Sequence, residues 1–343
     1  MRARLTLSVW FVSFLLAAGC GVRAPSEGER FEGETMGTTY VVRLAQTISE
    51  SDRLAVARTI DETLASVNAR MSNYLPDSEI TRFNRAEAGV PFPVSREIFE
   101  VVRDASRVSE LTGGAFDVTV SPLVRLWGFG PGGYGREVPP TDAEIARAKG
   151  LVDFRKLVLA DDPITLTKLA PELECDLSAI AKGYGVDRVA ETLEARGYRD
   201  YMVEVGGEVR TLGKNSVGHA WRIAIEKPLP GTRAVQRIVS LSGLSMATSG
   251  DYRNFYELDG RIHSHLIDPR AGRPVAHRLA SVSVLSETAM RADALASGLL
   301  VLGPEEGFDL AVAEDLAVLF LSRTEGGEIE ERATPAFAEL FPD

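Results

Sequence analysis

An aspartate and a serine four residues apart, Asp293 and Ser297, form the most suggestive chemical pair in this sequence. On a helix this spacing places both side chains on one face. A carboxylate beside a hydroxyl offers the hard oxygen ligands that magnesium accepts, and among small or apolar neighbours a lone aspartate would be costly without a partner. An exposed aspartate beside a helix-packing serine is the alternative, and spacing alone favours it.

A second candidate site spans residues 176–185, where a strand is expected to end at Asp176 and small residues lead into a helix that carries Lys182. The N-terminus of a helix attracts phosphate, and a nearby lysine adds positive charge. The segment is not a Walker motif, and Ser178 lies one residue too far from Lys182 for Ser-x-x-Lys acyl-enzyme chemistry. A tight strand-to-helix turn without a ligand explains the same residues.

Aromatic residues among glycines form a third candidate site, at 113–119 and 127–130. Such segments suit a flat ring that needs stacking and a close approach of the backbone. Ordinary loop packing produces the same pattern, so both interpretations stay open.

His263 and His265 are two residues apart, so in a strand they face the same side. Zinc is a weak interpretation because neither a cysteine nor a third spaced histidine follows. One of the two could act as a base near neutral pH, although ordinary hydrogen-bonded loop histidines are commoner.

The elements that must position these residues follow from periodicity and capping signals. Apolar residues recur every three to four positions between Leu54 and Met71, which predicts an amphipathic helix at 50–71. Ser95 is the expected N-cap of a second helix that stops at Gly113-Gly114, and a capping box at Thr141 opens a short third one. Further helices are predicted at 180–196, 287–302 and 304–313, and strands at 38–44, 157–160, 164–167, 201–205, 221–226, 236–242, 281–285 and 316–321.

Helices and strands mix without strict β-α alternation, which predicts the α+β class. No Pro- or Ser-rich linker divides residues 31–343, so we expect a single two-lobed domain there, with mixed sheets and packed helices.

The first 19 residues indicate export. Arg2 and Arg4 precede an uncharged apolar stretch, 5–19, that ends in small residues. This order is typical of a secretory signal peptide, and the stretch is shorter than the roughly 20 apolar residues of a membrane-spanning helix.

Cys20 directly follows Ala-Gly, which resembles a lipobox, although Ala17 stands where lipoproteins usually have leucine. We therefore expect Cys20 to be acylated and to become the mature N-terminus; an ordinary cleaved signal or an uncleaved anchor are the alternatives. Residues 20–30 are expected to form a flexible tether. This predicts a lipid-anchored protein on the periplasmic side of the cell membrane, with the inner membrane favoured.

The chain is acidic, with a formal net charge of −11, and loss of Arg2 and Arg4 with the signal peptide would make it −13. Nucleic acid and anionic lipid surfaces are poor partners for such a protein because both require basic patches. A phosphate ligand would need a cation to help hold it. Cys20 and Cys175 are the only cysteines, so an acylated Cys20 leaves no internal disulfide.

These motifs, in this order, resemble the ApbE family, the FAD:protein FMN transferases. The matching segments are 35–40, 71–80, 115–117, 126–130, 176–185, 205–208, 248–252, 265–269 and 292–297. The resemblance implies FAD contacts at Met36, Tyr74, Ala115, Phe116, Asp117, Asp176, Lys182 and Ile267. It also implies magnesium held by Asp293, by the Ser297 hydroxyl and by the backbone carbonyls of Ala179 and Ala296. Many relatives have threonine at position 297 and glycines at 178–179, and both differences keep the ligand atom.

The resemblance further implies the reaction: a threonine or serine hydroxyl of an acceptor flavoprotein attacks the FMN-side phosphorus of FAD, and AMP leaves. Subunits of electron-transport complexes are acceptors of this kind. A metal that bridges the pyrophosphate oxygens neutralises their charge. The hydroxyl also needs a proton acceptor, for which His265 is the candidate, with Asp268 and Asp251 as weaker ones.

Two other functions fit the same residues. One is a lipoprotein that binds FAD without transferring it; the other is a metal-dependent FAD pyrophosphatase, in which water replaces the acceptor hydroxyl. The oxygen ligands at Asp293 and Ser297 favour catalysis over storage, because a protein that only binds FAD has less use for a metal at the phosphates. The sequence does not separate transferase from hydrolase.

Overall fold

The computed structural model describes residues 28–342 except 134, 230, 232, 233, 253, 259 and 260. The predicted signal peptide and Cys20 lie outside the described residues. The helices are α1 (Glu50–Met71), α2 (Glu79–Arg85), α3 (Arg96–Leu111), α4 (Ser121–Leu126), α5 (Asp142–Lys149), α6 (Ala181–Ala195), α7 (Ala289–Leu302), α8 (Glu306–Ala313) and α9 (Pro335–Leu340). Within the described part of the chain, no helix combines the length and apolar character needed to cross a membrane.

The strands are β1 (Glu29–Thr35), β2 (Thr38–Leu44), β3 (Phe92–Pro93), β4 (Leu157–Asp161), β5 (Ile164–Lys168), β6 (Tyr201–Val205), β7 (Glu208–Leu212), β8 (Trp221–Glu226), β9 (Val235–Leu241), β10 (Ser245–Gly250), β11 (Phe255–Leu258), β12 (Arg261–Ser264), β13 (Ile267–Asp268), β14 (Arg273–Pro274), β15 (Leu279–Ser286), β16 (Ala317–Arg323) and β17 (Ile329–Ala333). Eight of them form one sheet in the order β1-β2-β6-β7-β10-β15-β16-β17. This mixture of sheet and helices confirms the α+β prediction.

Two details of the prediction need correction. Every strand pairing among the described residues is antiparallel, so the sheets are not mixed in direction. Hairpins such as β1–β2 and β6–β7 impose this, since a two-residue turn can join only antiparallel neighbours. Glu29 and Arg30 pair with β2 and therefore belong to the sheet, not to the tether.

Helix α7 lies at the centre of the molecule. It packs against β10, β15 and α6, and nearly all its residues are buried. A helix that is apolar on every side belongs in a core, so the one carboxylate on it, Asp293, is 2% exposed. The fold therefore places the predicted metal ligand where a charged group needs partners.

Candidate functional site

A partly buried lysine lies between two buried carboxylates at the centre of the site. The ammonium nitrogen of Lys182 is 2.8 Å from Glu208 Oε1 and 3.5 Å from Asp293 Oδ1. Both acids are almost inaccessible to solvent. Lys182 and Asp293, predicted separately, are thus brought together, and Glu208 joins them.

Helices α6 and α7 hold this cluster in place because an aspartate of each helix accepts backbone N–H groups at the N-terminus of the other. Asp293 of α7 accepts a hydrogen bond from the backbone N–H of Gly183, in the first turn of α6, at 3.0 Å. Asp187 of α6 accepts the N–H groups of Ala289 and Met290 at the start of α7, at 3.0 and 2.8 Å. Helix N-termini leave such groups unpaired, so this exchange fixes the relative position of the two helices.

Gly183 also makes the helix contact possible. A Cβ atom at this position would lie 2.3 Å from the carbonyl oxygen of Ala289, far inside van der Waals contact. Only glycine lets α6 come this close to α7, and that approach places Lys182 beside Asp293.

The charged groups of the cluster shift one another's pKa values. Burial raises the pKa of Glu208; the positive charge of Lys182 opposes this shift, and the negative charge of Asp293 adds to it. Burial disfavours the charged form of Lys182, but Asp293 and Glu208 outweigh it and raise the pKa of the ammonium. The lysine therefore keeps its positive charge at neutral pH.

Asp293 and Ser297 lie one turn apart on α7, as predicted. The Ser297 hydroxyl is 3.0 Å from the hydroxyl of Ser249 on β10, so oxygen atoms from two elements meet there. The residues fit magnesium, which prefers such hard oxygen ligands, and the 3.5 Å separation leaves Asp293 Oδ1 only loosely engaged by Lys182. Ala179 precedes α6 and Ala296 lies on α7 next to Ser297; their roles as carbonyl ligands stay predictions.

A metal site built from several imidazole, thiolate or carboxylate side chains would differ from the one predicted at Asp293 and Ser297. Among the residues that the structure describes, no group of three or more such side chains could hold a metal ion. Any metal at Asp293 would therefore depend on hydroxyl, carbonyl, water or substrate oxygens for its remaining ligands.

A cavity of about 240 Å³ opens beside Asp176. The carboxylate of Asp176 accepts hydrogen bonds from the backbone N–H and the hydroxyl of Ser178, at 2.9 and 2.6 Å. The predicted FAD contact Tyr74 is 66% exposed, and its pKa is raised by partial burial and by the charge of Asp176. The cavity is lined by Asn73, Thr81, Asn84, Arg85, Ser121, Val124, Arg125, Gly130, Pro131, Glu174 and Asp176.

Three neighbouring predicted contacts lie in the core. Ala115 and Phe116 are buried, and Asp117 has both oxygens occupied: Oδ1 accepts from the N–H and hydroxyl of Thr119, and Oδ2 from the N–H of Phe154. Burial raises the pKa of this carboxyl, although the hydrogen bonds from Thr119 and Phe154 act in the opposite direction. Asp117 therefore ties its loop together, and a ligand contact there is still a prediction.

The aromatic segment around Trp127 is packed by the protein itself. The ring of His263 stacks between Trp127 and Tyr256, with centroid distances of 5.5 and 5.4 Å. Trp127 is buried and donates its indole N–H to the carbonyl of Gly272 at 2.9 Å. Loop packing, the alternative left open for this segment, accounts for Trp127, and Ile267 is buried in the same cluster.

His265 has a different environment from His263. Its Nδ1 lies 2.9 Å from the backbone carbonyl of Asn254; because a carbonyl only accepts, Nδ1 carries the proton. In the neutral ring, Nε2 is then the acceptor nitrogen. Burial lowers the pKa of His265, which keeps the ring neutral near pH 7 and suits it to remove a proton.

The two weaker base candidates are both paired with arginines. Arg323 forms two hydrogen bonds to Asp251, at 2.7 and 2.6 Å. Arg270 bonds to both oxygens of Asp268 at 3.1 Å. Because arginine side chains already occupy both oxygens of each carboxylate, the geometry favours His265.

Met36 occupies the β1–β2 turn with a positive φ of 48°, followed by Gly37 at 72°. Two positive φ values are typical of a tight hairpin turn, but a non-glycine residue there is strained by about 1–3 kcal/mol. The Met36 side chain packs beside Gly185 of α6, close in sequence to Lys182. The turn thus carries this predicted FAD contact to the start of α6.

Glu208 is the residue that sequence reasoning missed as a functional group. It follows Gly206-Gly207 in a segment noted only for its family resemblance. Its partner Lys182 is 26 residues away, and no periodicity links the two. An acid directly after a glycine pair was the available signal.

Comparisons with known proteins cover almost the whole chain. The profile of the ApbE family matches residues 36–320. An FAD:protein FMN transferase of Vibrio cholerae is 46% identical, over 96% of this chain and 97% of its own length; one of Haemophilus influenzae is 43% identical, over 90% of each chain. Among solved structures, the flavin transferase ApbE of Vibrio cholerae superimposes with a TM-score of 0.84 at 43% identity, covering 92% of this chain and 99% of its own. The apo flavinyl transferase ApbE of Pseudomonas stutzeri reaches 0.83 at 40% identity, covering 92% and 97%.

Proposed function

Because the chain belongs to the ApbE family, we propose that it is a transferase that moves FMN from FAD to an acceptor flavoprotein. Its similarity to FAD:protein FMN transferases over nearly the full chain carries this proposal. The finer proposal is that the acceptor is a threonine or serine hydroxyl, that AMP is released and that magnesium is required.

The proposed reaction exchanges the phosphoanhydride bond of FAD for a phosphoester bond to the acceptor. The acceptor oxygen bonds to the FMN-side phosphorus, and the bond from that phosphorus to the bridging oxygen breaks. The bridging oxygen and its electron pair leave with AMP. The proton of the acceptor hydroxyl goes to Nε2 of His265, and it can pass from there to solvent or to the departing phosphate.

The residues of the site divide these tasks. Lys182 offers a permanent positive charge to the phosphates. Asp293 and Ser297 would hold magnesium, which neutralises pyrophosphate charge and stabilises the leaving phosphate when bound. The hydrogen bond from Nδ1 of His265 to the Asn254 carbonyl fixes the tautomer of the ring, and Nε2 accepts the proton. A protein of net charge −11 has particular need of these cations.

The test is an incubation of the purified protein with FAD, magnesium and a periplasmic flavoprotein subunit. Transfer gives a fluorescent acceptor band in a denaturing gel and one AMP per flavin attached. FMN and AMP without a labelled acceptor would indicate a pyrophosphatase, and intact bound FAD would indicate storage. The matched control is the same acceptor with its candidate threonines and serines changed to alanine. Its gel band should show no flavin fluorescence.

A further inference from the structure

Glu208 is held in an unusual position by the β6–β7 turn. It is the first residue of β7, directly after Gly206 and Gly207, and it is 3% exposed. Gly206 leaves room for the lysine stem, since a Cβ atom there would lie 3.2 Å from Lys182 Cδ. The turn therefore delivers a buried carboxylate directly to the ammonium of Lys182.

The two oxygens of Glu208 are used unequally. Oε1 accepts from Lys182 Nζ at 2.8 Å, whereas Oε2 is buried without a hydrogen-bond partner among the described residues. A buried unpaired polar atom costs roughly 1–3 kcal/mol, and an apolar residue often replaces a buried ion pair without loss of stability. Stability alone is thus a poor explanation for this carboxylate.

The geometry of Lys182 indicates what Glu208 does. The ammonium stands closer to Glu208 than to Asp293, by the difference between 2.8 and 3.5 Å. Opposite charges at such distances attract strongly in a buried site. Without Glu208, nothing else in the cluster would draw the ammonium away from Asp293, and a close Lys182–Asp293 pair would occupy the oxygen that a cation needs.

We propose that Glu208 is a positioning residue that holds the Lys182 ammonium off Asp293, so that Asp293 stays available to a divalent cation while Lys182 stays available to phosphate. This inference rests on the proposed function, because it assumes the metal site at Asp293. It assigns Glu208 no contact with the metal or with the reacting atoms.

The first test measures Mn²⁺ binding to the purified protein without FAD, by electron paramagnetic resonance. Loss of a residue that orients a metal ligand typically costs about 10- to 100-fold in affinity, and we expect Glu208→Ala to weaken Mn²⁺ binding within that range. Glu208→Gln keeps the shape and one acceptor for Lys182 but loses the charge, so its effect should be smaller. It also provides a folded variant if the alanine protein does not fold.

The decisive test repeats the measurement with Lys182→Met. If Glu208 acts only by restraining the lysine, Glu208→Ala should change Mn²⁺ affinity by less than about 2-fold in this background, the usual limit of additivity between uncoupled sites. An equally large loss with and without Lys182 would overturn the proposal and make Glu208 a metal ligand. An unchanged affinity in the single variants would overturn it as well.

Two controls distinguish a failure of this inference from a failure of the proposed function. Asp293→Asn should abolish Mn²⁺ binding; if it does not, the metal site itself is misplaced and the proposed function fails in that part. If Asp293→Asn abolishes binding and the Glu208 variants leave it unchanged, only the role of Glu208 fails. Glu194→Gln removes an acid paired with Arg210 and Tyr201, away from the cluster, and should bind Mn²⁺ normally.

Discussion

The carboxylate of Asp293 serves two purposes. One oxygen accepts the N–H of Gly183 and the other faces Lys182, so removal of the side chain would disturb the start of α6 as well as the metal site. An asparagine keeps an acceptor for Gly183 and removes the charge. The role of the negative charge can therefore be tested separately from the hydrogen bond that Asp293 accepts from Gly183.

We expect Asp293→Asn to lower FMN transfer by more than the roughly 100-fold that marks the upper range for residues supporting a metal ligand, with little change in the melting temperature. Ser297→Ala should be milder, because water can replace a neutral hydroxyl at an octahedral ion. Transfer rates at several magnesium concentrations and thermal unfolding provide the measurements. Normal transfer by Asp293→Asn at low magnesium would contradict the metal assignment.

For His265 we expect a loss of rate rather than of binding. General-base assistance is typically worth about 10²- to 10⁴-fold, so His265→Ala should slow transfer by that order while FAD affinity, measured by fluorescence, stays nearly constant. Because the base must be deprotonated and burial lowers the pKa of His265, transfer by the unmodified protein should fall only below the pH at which an ordinary histidine protonates. This acid limb should disappear in the variant.

His263 provides the matched control for that experiment. Its ring is stacked between Trp127 and Tyr256, so His263→Phe keeps an aromatic ring in the stack and removes only the imidazole nitrogens. Transfer should remain close to normal. A defect equal to that of His265→Ala would argue against a single base and for a shared role of the two histidines.

At the scale of elements, the contact between α6 and α7 determines whether the site exists. Lys182 comes from one helix and Asp293 from the other, and the hydrogen bonds of Asp187 and Asp293 join the two N-termini. A small displacement of either helix would separate the charged groups.

Gly183→Ala tests this contact. The added Cβ would meet the Ala289 carbonyl oxygen at 2.3 Å, and overpacking of this kind costs about 1–3 kcal/mol. We expect a loss of that size in the free energy of unfolding, measured with denaturant, together with weaker Mn²⁺ binding. Gly150→Ala is the control: the new Cβ would have ordinary contacts of at least 3.4 Å and stability should change little. Equal stability of both variants would show that the helix approach tolerates a side chain.

Local signals predicted the long elements. The apolar period gave α1, with Ile60, Leu64 and Val67 buried as expected, and Ser95 does cap α3. Leu54, at the start of that period, is exposed instead. Strands β7 and β10 were missed because their sequences, EVRTL and SMATSG, mix polar and small residues; they become strands through their neighbours in the sheet. Short helices α2 and α4 were missed because seven and six residues carry too little periodicity.

The candidate site divides in the same way. Spacing on one helix was enough to pair Asp293 with Ser297. The ion pair of Lys182 with Glu208 and the stacking of His263 depend on packing between distant segments, which no local pattern records.

At the scale of the whole molecule, the remaining proposal concerns the attachment to the membrane through Cys20. The small residues Ala17, Ala18 and Gly19 before it motivate this. Strand β1 begins at Glu29, so eight residues lie between Cys20 and the strand, and the chain from Cys20 to Glu29 reaches at most about 30 Å. Acylation would therefore keep the domain close to the membrane surface.

We expect mass spectrometry of the membrane fraction to find Cys20 as a lipid-modified first residue. Cys20→Ser should abolish the modification and shift the protein out of the lipid-anchored fraction, because a serine hydroxyl cannot form the thioether that carries the lipid. Cys175→Ala is the control: Cys175 is buried in the core, so its replacement should leave the anchor intact even if stability falls. Unmodified Cys20 in the membrane fraction, or cleavage at another residue, would contradict the lipoprotein assignment.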